Sequence, residues 1–254
     1  MAAVVYQHLI APLRVKLVET QAFADRHEKL ASLGLLASGV AHEIRNPLNS
    51  IKIGMFFQKE KFPPGTQQRA DAEVVEREIL RLEHILDEFL AFTRPTLPKL
   101  VPVQLDAFLQ ELRQFFLPQL AAAKIQLVMK ILAPMQVRAD ASQLKQAVVN
   151  LVQNAVNSIG SDGQITLHAR PDRKPLAGKE AEVTVIEIAD TGKGIPPEIE
   201  RHLFQPFFTT KKDGAGLGLG IAAQIVRNHG GELQYQTQAD HGASFSIILP
   251  QLTA

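Results

Sequence analysis

The sequence predicts an α-helical hairpin, built to pair with a second copy as a dimeric four-helix bundle, followed by an α+β sandwich. Three observations predict it. Two long stretches repeat apolar residues at helical spacing, a proline-rich segment follows them, and beyond it short alternating stretches outnumber the helical ones. The chain of 254 residues holds one large domain or two modest ones, and 46% apolar residues supply a core. A formal charge of +1 points to no polyanionic partner, so nucleic acid is not expected. The absence of cysteine excludes disulfides, cysteine-ligated zinc and thiol chemistry. No apolar run approaches the ~18 residues of a membrane span. The start lacks the basic segment of a secretion signal, so a soluble cytoplasmic protein is expected.

The first helix runs to about residue 60, with Pro47 as its only strong breaker from about residue 13. Leu30, Leu33, Ala37, Val40, Ile44, Leu48 and Ile51 follow steps of three and four and form one stripe. "KEKFPPGTQQ" breaks the pattern and reads as a turn. A second helix carries Val75, Ile79, Leu82, Leu86 and Phe89 as a heptad-like seam, with Glu76, Arg77, Glu83 and Asp87 between them. A lone hairpin cannot cover both apolar faces, whereas a homodimer can. "TRPTLPKLVPVQL" then places Pro95, Pro98 and Pro102 within eight residues, an extended connector and domain boundary.

Beyond the connector, residues 105–122 read as a helix and "KIQLVMKIL" as a strand. "ADASQLKQAVVNLVQNAVNSIG" is a helix capped by Asp140 or Ser142 and stopped by Gly160. "QITLHAR" and "VTVIEIAD" are strands, "GIAAQIVRNHGG" is a helix, and "ELQYQTQ" and "ASFSIILP" close as strands. The mixed order places helices on one face of a sheet.

Three segments of this second half suit nucleotide binding. Asn150 and Asn154 stand four apart on a largely apolar helix and face the same way, and an amide oxygen is a suitable Mg²⁺ ligand. Asp190 ends a strand and precedes Gly192 and Gly194, so an acceptor for an exocyclic amine stands beside backbone that a ligand can approach closely. Glycines at 214, 216, 218 and 220 lead into a helix whose free N–H groups and dipole attract phosphate. "FQPFFTTKKDGAG" supplies the aromatic, basic and glycine residues of a closing loop.

In this order, the asparagine helix, "DTGKG", "LFQPFFTTK" and "GLGLG" resemble the catalytic ATP-binding domain of sensor histidine kinases, a Bergerat-type sandwich. "LASLGLLASGVAHEIRNPLNSI" resembles the H-box of their dimerisation and phosphoacceptor domain. The resemblance covers residues 28 to 250 and implies a coiled-coil connector over 1–27, the hairpin over 28–94, a linker over 95–102 and the catalytic domain over 103–254. It implies His42 as phosphoacceptor, Glu43 as its base or hydrogen-bond partner, and Asn46 as a residue that orients water in a phosphatase reaction. ATP and Mg²⁺ are the implied ligands. Asn154 would bind the metal with support from Asn150, and Asp190 would read the adenine amine beside Gly192 and Gly194. Gly216, Gly218 and Leu219 would offer backbone to the phosphates. Lys193, Lys211 and Lys212 are candidates for phosphate charge, with Ile195, Phe207, Thr210 and Leu217 as further nucleotide-lining positions. Asn157 stands where some relatives carry a basic residue, which leaves more of that work to the loop lysines.

The resemblance further implies a response regulator as partner and a sensory module upstream. A nucleophilic imidazole needs one ring nitrogen free and the other hydrogen-bonded, which Glu43 can supply. Ser38 and Gly39, one turn before His42, are small and leave room for a nucleotide domain to approach. Pro47 removes the helical partner of the Glu43 carbonyl, so a bend is expected one turn beyond the histidine. His8, His27, His84, His168, His202, His229 and His241 lack comparable surroundings and read as ordinary. Two other readings compete with the kinase. An ATPase of the gyrase or chaperone type would need a water-activating glutamate where Asn150 stands, and a signalling scaffold with a vestigial ATP site would show eroded motifs.

Overall fold

A computed structural model describes residues 39–93, 96–176, 178–210, 214–237 and 242–252. The chain divides into two compact units, residues 1–94 and 95–254. The expected connector over 1–27, and Leu30, Leu33, Ala37 and Ser38, lie outside the described residues.

In the first unit, helix α1 is described over residues 39–61 and continues through Pro47, and α2 spans Gln67–Thr93. Ala41 and Leu48, seven apart, are buried, with Met55 and Phe62 half-buried at the next two heptad steps. Ala72, Ile79, Leu86 and Thr93 are buried at the same interval on α2. These two rows are the inner seam of the hairpin. Beside the seam runs a second row of period seven. Arg45 meets Asp87 at 2.8 Å, Lys52 meets Glu83 at 2.8 Å and Lys59 meets Glu76 at 2.7 Å. Arg45–Asp87 is exposed and the other two pairs are part-buried; each adds little energy, but together they favour one antiparallel register. The apolar pattern thus splits between two faces. Val40, Ile44 and Ile51 of α1, and Val75 and Leu82 of α2, are exposed although they sit on the stripes read from sequence.

The second unit is ordered β1 (Val101–Gln104), α3 (Leu105–Ala122), β2 (Ile125–Ile131), β3 (Gln136–Ala139), α4 (Ala141–Ile159), β4 (Gly163–Leu176), β5 (Lys179–Asp190), α5 (Pro197–Glu200), α6 (Gly218–Asn228), β6 (Glu232–Thr237) and β7 (Ala243–Pro250). A five-stranded sheet runs β2-β4-β5-β7-β6, and β1 pairs with β3 in a separate two-stranded sheet. Only β2 and β4 are parallel; the other pairs are antiparallel. Alternation puts Ile165, Leu167, Ile186, Ile188 and Ile247 on one face, where they are buried together with Leu109, Leu112, Leu144, Leu151 and Phe116 of α3 and α4.

Two features differ from the strand and connector expectations. β4 runs on through Pro171 and Pro175, because beyond Ala169 it pairs only with β5 and its other edge is open, the position in which proline is tolerated. The proline-rich stretch is not a free spacer over its described part. Val101–Gln104 forms β1, Thr96 accepts bonds from Gln143 Nε2 at 3.0 and 3.1 Å, and the Lys99 N–H donates to Asp140 Oδ2 at 3.1 Å. Of the two cap candidates, Asp140 takes the role, accepting from the Ser142 and Gln143 N–H groups, and Gly160 ends α4 at φ 78°. Replacing Leu151, fully buried on α4, with alanine is expected to lower unfolding free energy by about 2–5 kcal/mol. The exposed Leu132→Ala should shift it by less than about 0.5 kcal/mol, both read by urea denaturation.

Candidate functional site

Helix α4 carries Asn150, Asn154 and Ser158 at four-residue intervals, one polar stripe on a helix that buries Leu144, Ala147, Val148, Leu151, Val152 and Ala155. Asn150 Nδ2 donates to the Gly218 carbonyl at 3.0 Å, so its amide holds the start of α6. Asn154 is half-buried one turn on, while Asn157 lies exposed beside the stripe with its Oδ1 3.4 Å from Gln153 Nε2.

The last residue of the stripe meets the end of β5. Asp190 is 8% exposed, and the Gly192 N–H donates to its Oδ1 at 2.8 Å. Burial pushes this carboxyl above the usual carboxylate range, while bonds from the Gly192 N–H, the Ser158 hydroxyl and the Ala243 N–H pull the other way. A Cβ at Gly192 would stand 2.1 Å from Ser158 Oγ and 2.7 Å from a Ser158 backbone carbon, so only glycine lets the turn close on the helix. Gly242, at φ 89°, presses equally close, with a virtual Cβ 1.9 Å from the Asp190 carbonyl oxygen. Gly194 adopts φ 70°, and the Ile195 N–H donates to Thr237 Oγ1 at 2.8 Å, tying the turn to β6.

The loop between α5 and α6 is gathered at its base. Phe207 N–H donates to the Gly216 carbonyl at 3.1 Å, and a Cβ at Gly216 would lie 2.7 Å from Phe207 backbone. Phe207 itself adopts φ 64°, a strained conformation for an aromatic residue, with its ring 60% exposed. Leu217, fully buried, anchors the start of α6, and no side chain caps that helix. The N–H groups of Gly218 and Leu219 therefore lie in its first turn, where the α-helix provides no intrahelical acceptor. Lys193 and Thr210 are exposed, and Lys211 and Lys212 lie outside the described residues.

In the first unit, His42, Glu43 and Asn46 are all exposed on α1, with Asn46 one turn beyond His42 on the same face. Sequence reasoning missed Ser158, Thr237 and Gly242. Ser158 was within reach of the four-residue rule that picked out the asparagines, whereas Thr237 and Gly242 come from distant strands and carry no local signal.

The arrangement suits an adenine nucleotide. It offers a buried acceptor at a glycine-shaped wall, amide side chains one turn apart, and a helix start open to phosphate. Among the described residues no three His, Cys, Asp or Glu side chains cluster as a metal site, so an ion would rest on an amide oxygen and the nucleotide's own phosphates.

Comparison with known proteins bears on the family and the fold. The family model described as "His Kinase A (phospho-acceptor) domain" matches residues 32–98. That described as "Histidine kinase-, DNA gyrase B-, and HSP90-like ATPase" matches residues 139–253. The chain is 36% identical over 226 residues to the sensor histidine kinase ZraS of Escherichia coli, covering 89% of this chain and 47% of that protein. It thus spans about half the length of such relatives. Among solved structures, histidine kinase ThkA in complex with response regulator protein TrrA matches with a TM-score of 0.65 at 27% identity, over 93% of this chain and 67% of that one. Full-length ShkA in complex with AMPPNP matches in fold, with a TM-score of 0.70 at 24% identity, over 86% of this chain and 46% of that one.

Asp190→Asn separates binding from stability. Because the folded carboxyl titrates above its unfolded value, its burial penalises the native state at neutral pH, and the penalty fades as pH falls through the raised value toward about 3.9. The variant is expected to melt at or above the wild-type temperature at pH 7 and to lose that advantage near pH 4. Its ATP affinity should drop about 10–100-fold, as measured by calorimetric titration.

Proposed function

The chain belongs to the histidine kinases, and on that premise we propose that it binds ATP in its second unit and phosphorylates itself on His42. The observation that carries this reading is one chain with two complementary parts. An exposed His-Glu pair stands on a helical hairpin, and a second unit gathers Asp190, the α4 asparagines and the glycine-bounded start of α6 around one site.

A ring nitrogen of His42 attacks the γ-phosphorus, the bond to the β–γ bridging oxygen breaks, and ADP leaves. Glu43 accepts from the other ring N–H, which keeps the attacking nitrogen unprotonated and steadies the positive charge that develops on the ring. Asp190 takes the adenine amine, and the Gly216–Leu219 backbone receives phosphate oxygens. Asn154 would hold Mg²⁺ together with the phosphates, and the ion would supply charge neutralisation. Asn150 acts indirectly, because its Nδ2 is committed to the Gly218 carbonyl and so positions the phosphate-binding turn. The same bond weighs against hydrolysis of the gyrase type, since an amide committed to backbone is no general base.

The phosphoryl group then passes to an aspartate of a response regulator, whose carboxylate oxygen attacks phosphorus as the N–P bond breaks. A second copy of the chain covers Val40, Ile44, Ile51, Val75 and Leu82, the apolar residues that one hairpin leaves exposed. In this reading the chain works in the cytoplasm and takes its input from a sensory module. No helix among the described residues is long and apolar enough to cross a membrane.

With γ-labelled ATP and Mg²⁺, the wild type should acquire acid-labile label and His42→Gln none. Label that persists in the variant would remove His42 from its role. Asn46, exposed one turn beyond His42, is the candidate for orienting water against a phosphorylated regulator. Asn46→Ala is expected to slow regulator dephosphorylation at least about tenfold while labelling of His42 stays within about twofold; the decay of a labelled regulator measures it.

A further inference from the structure

His229 ends α6 and is 4% exposed, so its ring has no water to fall back on. Asp140 N–H donates to Nε2 at 3.0 Å, which makes that nitrogen the acceptor and leaves the proton on Nδ1, 2.8 Å from the Ile225 carbonyl oxygen within α6. The ring is a neutral two-ended link between the C-terminus of α6 and the N-terminus of α4. Asp140 at that junction also divides its carboxylate. Oδ1 caps α4 through the Ser142 and Gln143 N–H groups, and Oδ2 accepts from the Lys99 N–H of the connector. One turn into α4, Gln143 holds Thr96. The other end of α6 meets the middle of α4, where Asn150 holds the Gly218 carbonyl.

We propose that Asp140 and His229 are positioning residues that couple the docked connector, residues 96–99, to the nucleotide site, so that nucleotide binding tightens the connector and release of the connector weakens nucleotide binding. The proposal rests on the nucleotide reading above and adds a second place where occupancy is felt. Its basis is that the bonds at the junction share atoms. Releasing the connector takes a donor from the carboxylate that caps α4, and shifting that cap moves the Asp140 N–H from the buried His229. Neither partner can turn to solvent without opening the end of α6, and the start of α6 is the phosphate turn. The Ser142 hydroxyl, the Lys99 N–H and the Gln143 N–H together hold the Asp140 carboxyl down at about 2, so it stays anionic across the working range. Coupling of binding events is reciprocal, so either end can be measured.

Trypsin reports the connector end, because Lys99 is followed by Leu100 and a protease needs the segment to leave its docked bonds, whereas Arg94 is shielded by Pro95. The full chain is digested with and without a saturating non-hydrolysable ATP analogue and Mg²⁺, with binding measured separately by calorimetry. Cleavage after Lys99 is expected to slow about fivefold or more in the wild type, and less than about twofold in His229→Leu at an analogue concentration that saturates the variant. Should His229→Leu fail to fold, Gln143→Ala loosens only the connector, and is expected to weaken analogue affinity about threefold or more and to speed cleavage after Lys99. Analogue that binds the wild type yet leaves the cleavage rate unchanged overturns the coupling while the nucleotide reading stands. Equal protection in His229→Leu, or unaltered affinity in Gln143→Ala, overturns it as well. Analogue that does not bind the wild type overturns the nucleotide reading and the coupling with it.

Discussion

The second unit depends on the way α4 is held against α6. The two helices run antiparallel and meet through two polar contacts, Asn150 in the middle of α4 with the Gly218 carbonyl at the start of α6, and the Asp140 N–H at the head of α4 with His229 at the end of α6. Between these contacts the facing surfaces are apolar, with Ala147, Val148 and Leu151 on α4 and Ile221, Ala222 and Ile225 on α6 all buried. Apolar contact alone tolerates sliding by a turn, but two directional bonds at the two ends of α6 do not. The stripe of Asn150, Asn154 and Ser158 is thereby set at a fixed distance from the glycines that open α6. Phe207 and Gly216, both of positive φ, are joined by a backbone bond ahead of the start of α6.

Around Asp190 the fold accepts a cost for chemistry. A buried carboxylate is unfavourable in itself, and the site answers with three donors and two close backbone approaches, at Gly192 and Gly242. Gly192 admits Ser158 to the carboxylate, Gly242 admits β7's leading turn to the Asp190 carbonyl, and Gly216 admits the loop base. Glycine at each of these positions answers a space a methyl group would fill. A lysine or arginine in the same place would neutralise the carboxylate and leave it with less to offer an exocyclic amine.

The hairpin keeps its histidine exposed while its own seam is buried. Its inner seam is formed at heptad spacing by small and medium residues, Ala41 and Leu48 against Leu86 and Thr93, which lets the helices approach closely at the level of His42. The row of Arg45, Lys52 and Lys59 opposite acidic residues resists slippage along the seam. His42 is left exposed, outside both the seam and the exposed apolar face of Val40, Ile44 and Ile51.

What the sequence determined by itself are the features whose cause is local. Periodicity marked the longer helices and the five strands of the larger sheet, Asp140 or Ser142 and Gly160 marked the ends of α4, and His42 was distinguished by Glu43, Asn46 and Pro47 in the same two turns. The pairing of Asn150 with Asn154 was legible because helical geometry fixes their relative direction. Only the tertiary structure decided which groups those residues meet. The partner of Asn150 lies 68 residues away, that of Asp140 lies 89 away, and Arg45 finds Asp87 across 42. His229 read as an ordinary histidine for the same reason: its importance comes from a backbone N–H on another helix, and no side-chain pattern announces a backbone partner. Heptads likewise mark an apolar surface without saying whether the neighbouring helix or a second chain will cover it. Periodicity fixes the direction a side chain takes from its own element, but the partner in that direction is set by how distant elements pack, a choice made by the core as a whole.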